Sequence, residues 1–254
     1  MNHIVQTSVL LTSFLTQLME QLPQLEEKIV LKNPSFLEQD DLTGSTDEAS
    51  WPKVKVPYNS EIKSAVYIYD WEEKKLETLR DMTIQKWVDS DGNRALSMVT
   101  LNVPLQGEMT CSSYFDFNAR KLVKSVEGKD YCEVIDLKED FVLREHIDAL
   151  KNPDGGITTY LGTKHCRWTQ ETYHAFRIEV DNFDLKRVFI LYFDETAKDL
   201  KWLAMIRPLP LIFEIENGLS ERKFSDKDFE KVVTECPRGS KMDDESIHEL
   251  FGMI

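Results

Sequence analysis

Three residues of types that can do chemistry lie close together in the sequence: His165, Cys166 and His174. If residues 157–166 and 172–180 form a hairpin, these side chains could hold a soft metal ion or form a Cys–His nucleophile pair. Neighbouring strand residues point to opposite faces, however, so His165 and Cys166 cannot line one site without a bulge. We therefore expect a solvent-facing histidine and a buried or disulfide-bonded cysteine, and neither a metal, a cofactor nor an enzyme activity.

Four cysteines are spread over the chain: Cys111, Cys132, Cys166 and Cys236. No pair has the Cys-x-x-Cys spacing that is typical of zinc sites. Two disulfides, with three possible connectivities, and four reduced thiols both fit this pattern. All four cysteines are therefore candidates for disulfide formation.

The chain of 254 residues is acidic, with 31 Lys and Arg against 45 Asp and Glu and a net charge of −14. Such a charge repels phosphate backbones and anionic lipid surfaces. Nucleic acid is therefore not expected as a partner.

The central part of the sequence consists of successive β-type runs separated by turn residues such as Asp91-Gly92. Eight runs are the clearest: 83–88, 95–103, 113–117, 121–126, 131–137, 173–180, 187–193 and 211–215. Further strands are predicted at 65–71 and 157–166. Residues 200–206 lead to the last run, but Pro208 and Pro210 argue against a continuous central strand there. The pattern predicts an α+β fold that is mainly β, with a curved antiparallel sheet (a half-barrel of about eight strands) covered by helices.

Helical periodicity occurs at both ends of the chain. Residues 1–31 are predicted to form an N-terminal amphipathic helix, because leucines at heptad spacing mark one face; they are Leu11, Leu15, Leu18, Leu22 and Leu25. An acidic linker is expected over 32–63, anchored by Trp51 and Pro57, and a β-rich domain over 64–254. This domain includes helices at 139–150, 225–236 (opened by a capping box at Ser225) and 243–251.

Many aromatic side chains alternate along the predicted strands. Such a stripe forms a packed core more often than a ligand wall, but a strongly curved sheet can also enclose an apolar cavity. If the covering helices leave a hollow, we expect it to be lined by four aromatics: Trp87, Phe117, Phe176 and Phe193.

The run Tyr114 to Val123 (Tyr-Phe-Asp-Phe-Asn-Ala-Arg-Lys-Leu-Val), followed by Tyr131 to Leu137, resembles the ependymin-related and LolA-like β-proteins. Thr159 to Gly162, Trp168 and Phe176 to Ile178 look like the next strands of that family. The resemblance covers about residues 64–213. It implies an antiparallel half-barrel closed by helices, with a hydrophobic pocket for acyl chains and no catalytic residues to carry over.

Two functions follow as hypotheses. The first is non-enzymatic binding of a lipid or another apolar ligand in the hollow of the sheet. The second is an accessory subunit of a larger assembly, docked through the N-terminal leucines. We expect a location in the secretory pathway or outside the cell, with an intracellular organelle and a retained N-terminus as the alternative.

If the leucines of residues 11–25 form an interface, a charge in their middle should break it. We expect Leu18→Asp to weaken self-association or partner capture and to leave the sheet folded. Sedimentation velocity and circular dichroism would measure the two effects, and an unchanged mass together with unchanged partner capture would contradict the interface.

Overall fold

The computed structural model describes residues 51–70, 73–103, 107–128, 132–137, 140–151, 158–182, 185–207 and 211–234. These residues form eleven strands and two helices. The strands are β1 (Asn59–Asp70), β2 (Lys75–Asp89), β3 (Arg94–Val103), β4 (Gly107–Asp116), β5 (Lys121–Val126), β6 (Cys132–Asp136), β7 (Thr158–His165), β8 (Thr172–Asn182), β9 (Leu185–Phe193), β10 (Leu200–Arg207) and β11 (Leu211–Glu221). The helices are α1 (Leu143–Lys151) and α2 (Asp226–Thr234).

All eleven strands belong to one antiparallel sheet, in the order β6-β5-β4-β3-β2-β1-β11-β10-β9-β8-β7. Strands that are consecutive in the sequence pair with each other, except that β6 and β7 stand at opposite ends of this order. The two halves of the sheet meet where β1 pairs with β11, for example Val66 with Phe213. The predicted mainly-β fold with a curved antiparallel sheet and few helices is confirmed.

Two predictions about the extent of the sheet need correction. The sheet has eleven strands rather than about eight, because the weaker runs at 65–71, 157–166 and 200–206 are full members of it. The first strand begins at Asn59, inside the predicted linker, because the polar residues before Ser64 hide its alternation. The N-terminal leucines and residues 243–251 lie outside the described residues.

The inner face of the sheet carries the largest apolar cluster, to which both halves contribute. Val66, Ile84 and Val99 come from the first half, and Phe176 and Phe213 from the second. The sequence between β6 and β7 contains α1, whose Leu150 packs against this cluster. Helix α1 therefore covers part of the inner face.

The outer face of the first half is covered by α2. Phe229 and Val232 of α2 pack with Leu96, Tyr114 and Val123 of the sheet. The predicted capping box is confirmed, because the Asp228 carboxylate accepts the backbone N–H of Ser225 at 2.7 Å.

Two arginines attach α2 to the sheet. Arg94 donates to Asp89 and to Asp226, both at 2.8 Å, and its guanidinium lies 4.2 Å from the centre of the Phe229 ring. Arg222 bridges Glu61 and Asp228 at 2.9 and 2.7 Å. Charge-assisted bonds and ring contacts of this kind hold both sides of the helix.

The cysteines do not form the two disulfides that the even count allowed. Cys111 and Cys166 are free thiols. Cys166 points into the apolar cluster on the outer face of β7–β11, and packing in this cluster explains why a cysteine is buried there.

Cys132 is not among the free thiols, and Cys236 lies outside the described residues. Cys132 packs in the same cluster as Val232, and Cys236 follows Val232 by four residues. A bridge between these two cysteines stays a prediction.

Counting reactive thiols tests this prediction. In denaturant without reductant we expect maleimide to label two cysteines, and after reduction all four. In the native protein, Cys111 should react slowly, because burial raises the pKa of its thiol to about 11 and keeps the thiolate scarce. Labelling of four thiols without reductant would exclude the bridge.

Candidate functional site

A cavity of about 160 Å³ lies between the inner face of the sheet and α1. Most of its lining is apolar. The described lining residues are Val54, Val56, Pro57, Ser60, Ile62, Lys86, Val88, Ala95, Leu96, Ser97, Phe115, Ile147, Leu150, Thr158, Phe176, Ile178, Leu191, Phe193, Leu200, Leu203 and Leu219. Both halves of the sheet, the segment before β1 and helix α1 therefore contribute to one cavity wall.

The four aromatics predicted to line a hollow divide into two pairs. Phe176 and Phe193 line the cavity and pack edge to face, with ring centres 5.6 Å apart. Trp87 lies on the outer face instead, where its ring meets Phe229 at 5.9 Å. Phe117 packs against the tilted ring of Phe141, with ring centres 4.5 Å apart, in a separate cluster under the start of α1.

The segment before β1 forms part of the cavity wall, a role that the sequence patterns did not reveal. Trp51 packs edge-on against Phe176 at 5.7 Å, which confirms its predicted anchoring. Val54, Val56 and Pro57 then line the cavity. The Lys55 backbone N–H donates to the Ala197 carbonyl at 3.2 Å, so backbone as well as side chains holds this segment.

Polar contacts hold α1 over the cavity. The Tyr58 hydroxyl donates to Asp148, and this carboxylate raises the pKa of Tyr58. Arg144 donates to Asp91 at 2.7 Å, and its guanidinium also lies 4.5 Å from the Tyr58 ring centre. Hydrogen bonds from Asn59 and Arg144 hold the pKa of Asp91 below its usual range.

The N-terminal end of α1 is fixed by one side chain in the β2–β3 turn. The Asn93 side-chain oxygen accepts the backbone N–H of Leu143 at 2.9 Å, and its amide nitrogen donates to the Phe141 carbonyl at 2.8 Å. The turn has Gly92 at a point where a Cβ would lie 2.6 Å from the Asp89 carboxylate. A side chain at position 92 would therefore have to displace the Asp89 and Arg94 side chains, which form an ion pair there.

Polar side chains interrupt the apolar lining at a few points. Lys86 and Ser97 are register partners on β2 and β3 and both line the cavity. Lys86 is half-buried, and burial lowers its pKa to about 8. The Ser97 and Thr158 hydroxyls are buried and have no hydrogen-bond partner among the described residues. Lys86 lies two residues from both Ile84 and Val88, and residues at this spacing in a strand share one face. This alternation is the sequence signal that could have placed Lys86 on the inner face.

His165, Cys166 and His174 do not form a site. His165 is exposed, whereas Cys166 is buried on the opposite face, as the alternation of a strand predicts. His174 Nδ1 pairs with the Tyr160 hydroxyl at 2.7 Å. Within the described ranges, no group of three His, Cys, Asp or Glu side chains is arranged to hold a metal ion.

Comparison with known proteins adds little to this geometry. No family model matches the chain, and no curated protein matches it. Among solved structures it is similar to a beta-barrel-like protein of a domain of unknown function, DUF1849, from Brucella abortus. The identity is 10% and the TM-score 0.32, over 66% of this chain and 99% of that chain.

The lowered pKa of Lys86 predicts an effect on stability. Between pH 8 and 10.5 the unfolded chain binds more protons at this lysine than the folded chain does, so this lysine's contribution to stability rises with pH in that window. Replacing the charge should therefore stabilise the protein at pH 7. The size of the pKa shift corresponds to about 3 kcal/mol at most.

We expect Lys86→Met to raise the free energy of unfolding at pH 7 and the gain to shrink between pH 8 and 10.5. Urea denaturation at several pH values measures this difference. Lys63→Met, at a lysine whose side chain is 56% exposed, is the control and should change little. A loss of stability at pH 7 in Lys86→Met would contradict the placement of Lys86 in the cavity wall.

Proposed function

We propose that this protein binds a small apolar or amphipathic molecule in the cavity beneath α1 and that it is not an enzyme. The observation that carries the proposal is the cavity itself, to whose wall the largest apolar cluster contributes Phe176, Phe193, Leu191 and Leu203. Cavities lined by apolar side chains accept apolar guests. The alternative of a completely filled core does not fit a cavity of this volume.

The volume sets the size of the ligand. A cavity of about 150 Å³ holds a benzene molecule, so 160 Å³ accommodates on the order of six carbon atoms. An acyl chain of ten carbons does not fit inside and would have to extend past α1. Burial of six methylene groups contributes about 5 kcal/mol before the cost of association, so binding is weak.

The resemblance of residues 64–213 to ependymin-related and LolA-like proteins agrees with such a role, since it implies an apolar pocket for acyl chains. That family assignment remains part of the proposal. The accessory-subunit hypothesis depends on Leu11 to Leu25, which lie outside the described residues, and it therefore keeps only its sequence argument. A secretory or extracellular location likewise remains an expectation.

Methyl NMR with benzene as the probe tests the proposal. We expect millimolar benzene to shift the methyl signals of Ile178, Leu191 and Leu203, which line the cavity. Ile190 and Ile212, which belong to the outer-face cluster, are internal controls and should not shift.

A pair of variants at one position provides the matched control. Leu191→Trp should fill the cavity and abolish the shifts, whereas Leu191→Met nearly conserves the volume and should preserve them. Shifts that are absent in the wild-type protein, or that persist in a folded Leu191→Trp variant, would overturn the proposal.

A further inference from the structure

The outer face of the second half of the sheet is buried, although neither α1 nor α2 contributes to its apolar cluster. Ile190, Ala204 and Ile212 are direct cross-strand neighbours in the middle of this face, and they are 1%, 1% and 2% exposed. Among the described apolar residues that form the cluster or pack on it, Cys166 and Trp168 are the two that lie outside the strands. An apolar sheet face of this kind is buried only when a second layer packs on it.

The turn that carries Trp168 covers one end of this face. The Trp168 ring lies 5.5 Å from the ring of Tyr192 and 6.0 Å from that of Trp202, and Tyr69 of β1 meets it at 6.4 Å. Val188 is 3% exposed, yet it lies four residues from Tyr192 along β9. This separation is about 13 Å, and three strand spacings, about 14 Å, separate β9 from β1. The aromatic rings therefore do not account for the burial of Val188, and another segment is needed over β8–β10.

The chain before β1 approaches this face from the nearer edge. Trp51, the first described residue, packs against Tyr160 of β7 and Phe176 of β8, with ring centres 6.2 and 5.7 Å apart. Strand β7 is the last strand of the sheet order. The residues that precede Trp51 therefore have to pass one edge to reach the outer face. Residues 32–50 can span about 60 Å when extended, whereas packed sheet layers lie about 10 Å apart.

The C-terminal residues start farther away. Helix α2 begins beside β3, where Asp226 accepts a hydrogen bond from Arg94, and it continues over β4 and β5. From β5 to β9 the sheet is about 34 Å wide. Residues 235–242, which precede the predicted C-terminal helix, span about 26 Å at most. The N-terminal residues are therefore the better candidate for the cover.

We propose that the five leucines of residues 11–25 pack on the outer face of β7–β11 in the same molecule. Leu11 to Leu22, the part of the predicted helix before Pro23, is about 17 Å long, and β8–β11 are about 14 Å across. One helix of this length therefore crosses the buried strands. The small side chain of Ala204 lies between two isoleucines and leaves a depression for a leucine side chain.

This inference is independent of the cavity, which lies on the inner face. It competes with the accessory-subunit hypothesis, because leucines that pack on their own sheet are not available to a partner. It also gives the direction of the segment, since the residues next to the linker lie near β7 and Leu11 lies near β11.

Methyl NMR in the presence of a soluble gadolinium chelate tests the inference, because the chelate broadens the signals of exposed methyl groups. In the wild-type protein we expect the Ile190 and Ile212 methyls to be protected. Leu18→Asp should release the segment and increase their broadening several-fold. Ser13→Asp places the same charge on the opposite side of the predicted helix and should leave them protected. The inner-face methyls of Ile178 should stay protected in both variants and report that the sheet is folded.

Amine cross-linking of the wild-type protein provides a measurement that needs no variant. Lys28 is the one lysine in the sequence of residues 1–31. Lys164 lies on β7, where its register partner Tyr173 belongs to the outer-face cluster. We expect mass spectrometry of the cross-linked monomer to find Lys28 joined to Lys164. Lys227, which is exposed on α2, is the control and should not be joined to Lys28.

Three NMR results would overturn the inference. Outer-face methyls that broaden in the wild-type protein would mean that the face is open, and methyls that stay protected in a folded Leu18→Asp variant would mean that another segment covers it. Protection that disappears on dilution would identify a second copy of the chain as the cover. If Leu18→Asp does not fold, the cross-link decides, because a monomer in which Lys28 is not joined to Lys164 excludes this placement.

Discussion

The pairing of β1 with β11 is the constraint on which the rest of the structure depends. It joins the two halves of the chain into one sheet and leaves β6 and β7 as the ends. The inner face is strongly apolar, and the chain between those ends supplies a helix of nine residues, α1, to cover it. That helix is about 14 Å long. Among the described residues, α1 and the segment before β1 cover this face together, and the cavity lies between them and the sheet.

The two faces of the sheet are covered by different helices. On the outer face, α2 packs against the sheet through Phe229 and is fixed by ion pairs with Arg94 and Arg222. On the inner face, α1 is attached by the buried Leu143, which packs in one cluster with Phe115, and by hydrogen bonds that involve Tyr58 and Asn93. Ile147 and Leu150 of α1 line the cavity without filling it. The proposed ligand site therefore lies on the inner face.

The strands could be predicted from the sequence because alternation is a local signal. Residues 95–103 form β3 almost as predicted, and the helix after Ser225 begins at its capping box. The direction of the side chains could not be predicted equally well, because both faces of this sheet are buried. A rule that places tryptophan on the inner face and lysine on the outer face fails at Lys86 and Trp87. Ile84 and Val88 point to the inner face, so Lys86 between them does too and Trp87 points outwards. The contribution of Val54 and Val56 to the cavity depends on long-range packing, and no local pattern reports it.

The buried hydroxyls of Ser97 and Thr158 illustrate the same limit. Serine and threonine are unremarkable in a strand sequence, and only the register with Lys86 and Ile178 places them on the cavity. The chemistry of the site is therefore a property of the assembled sheet rather than of a sequence motif.

The proposed function depends on a ligand-sized apolar cavity beneath α1. Diffraction from crystals pressurised with xenon would detect this cavity, because xenon enters apolar cavities and scatters strongly. We expect a xenon site within contact distance of Phe176, Leu203 and Ile147. A well-ordered crystal structure with no xenon there and with those side chains in mutual contact would contradict it.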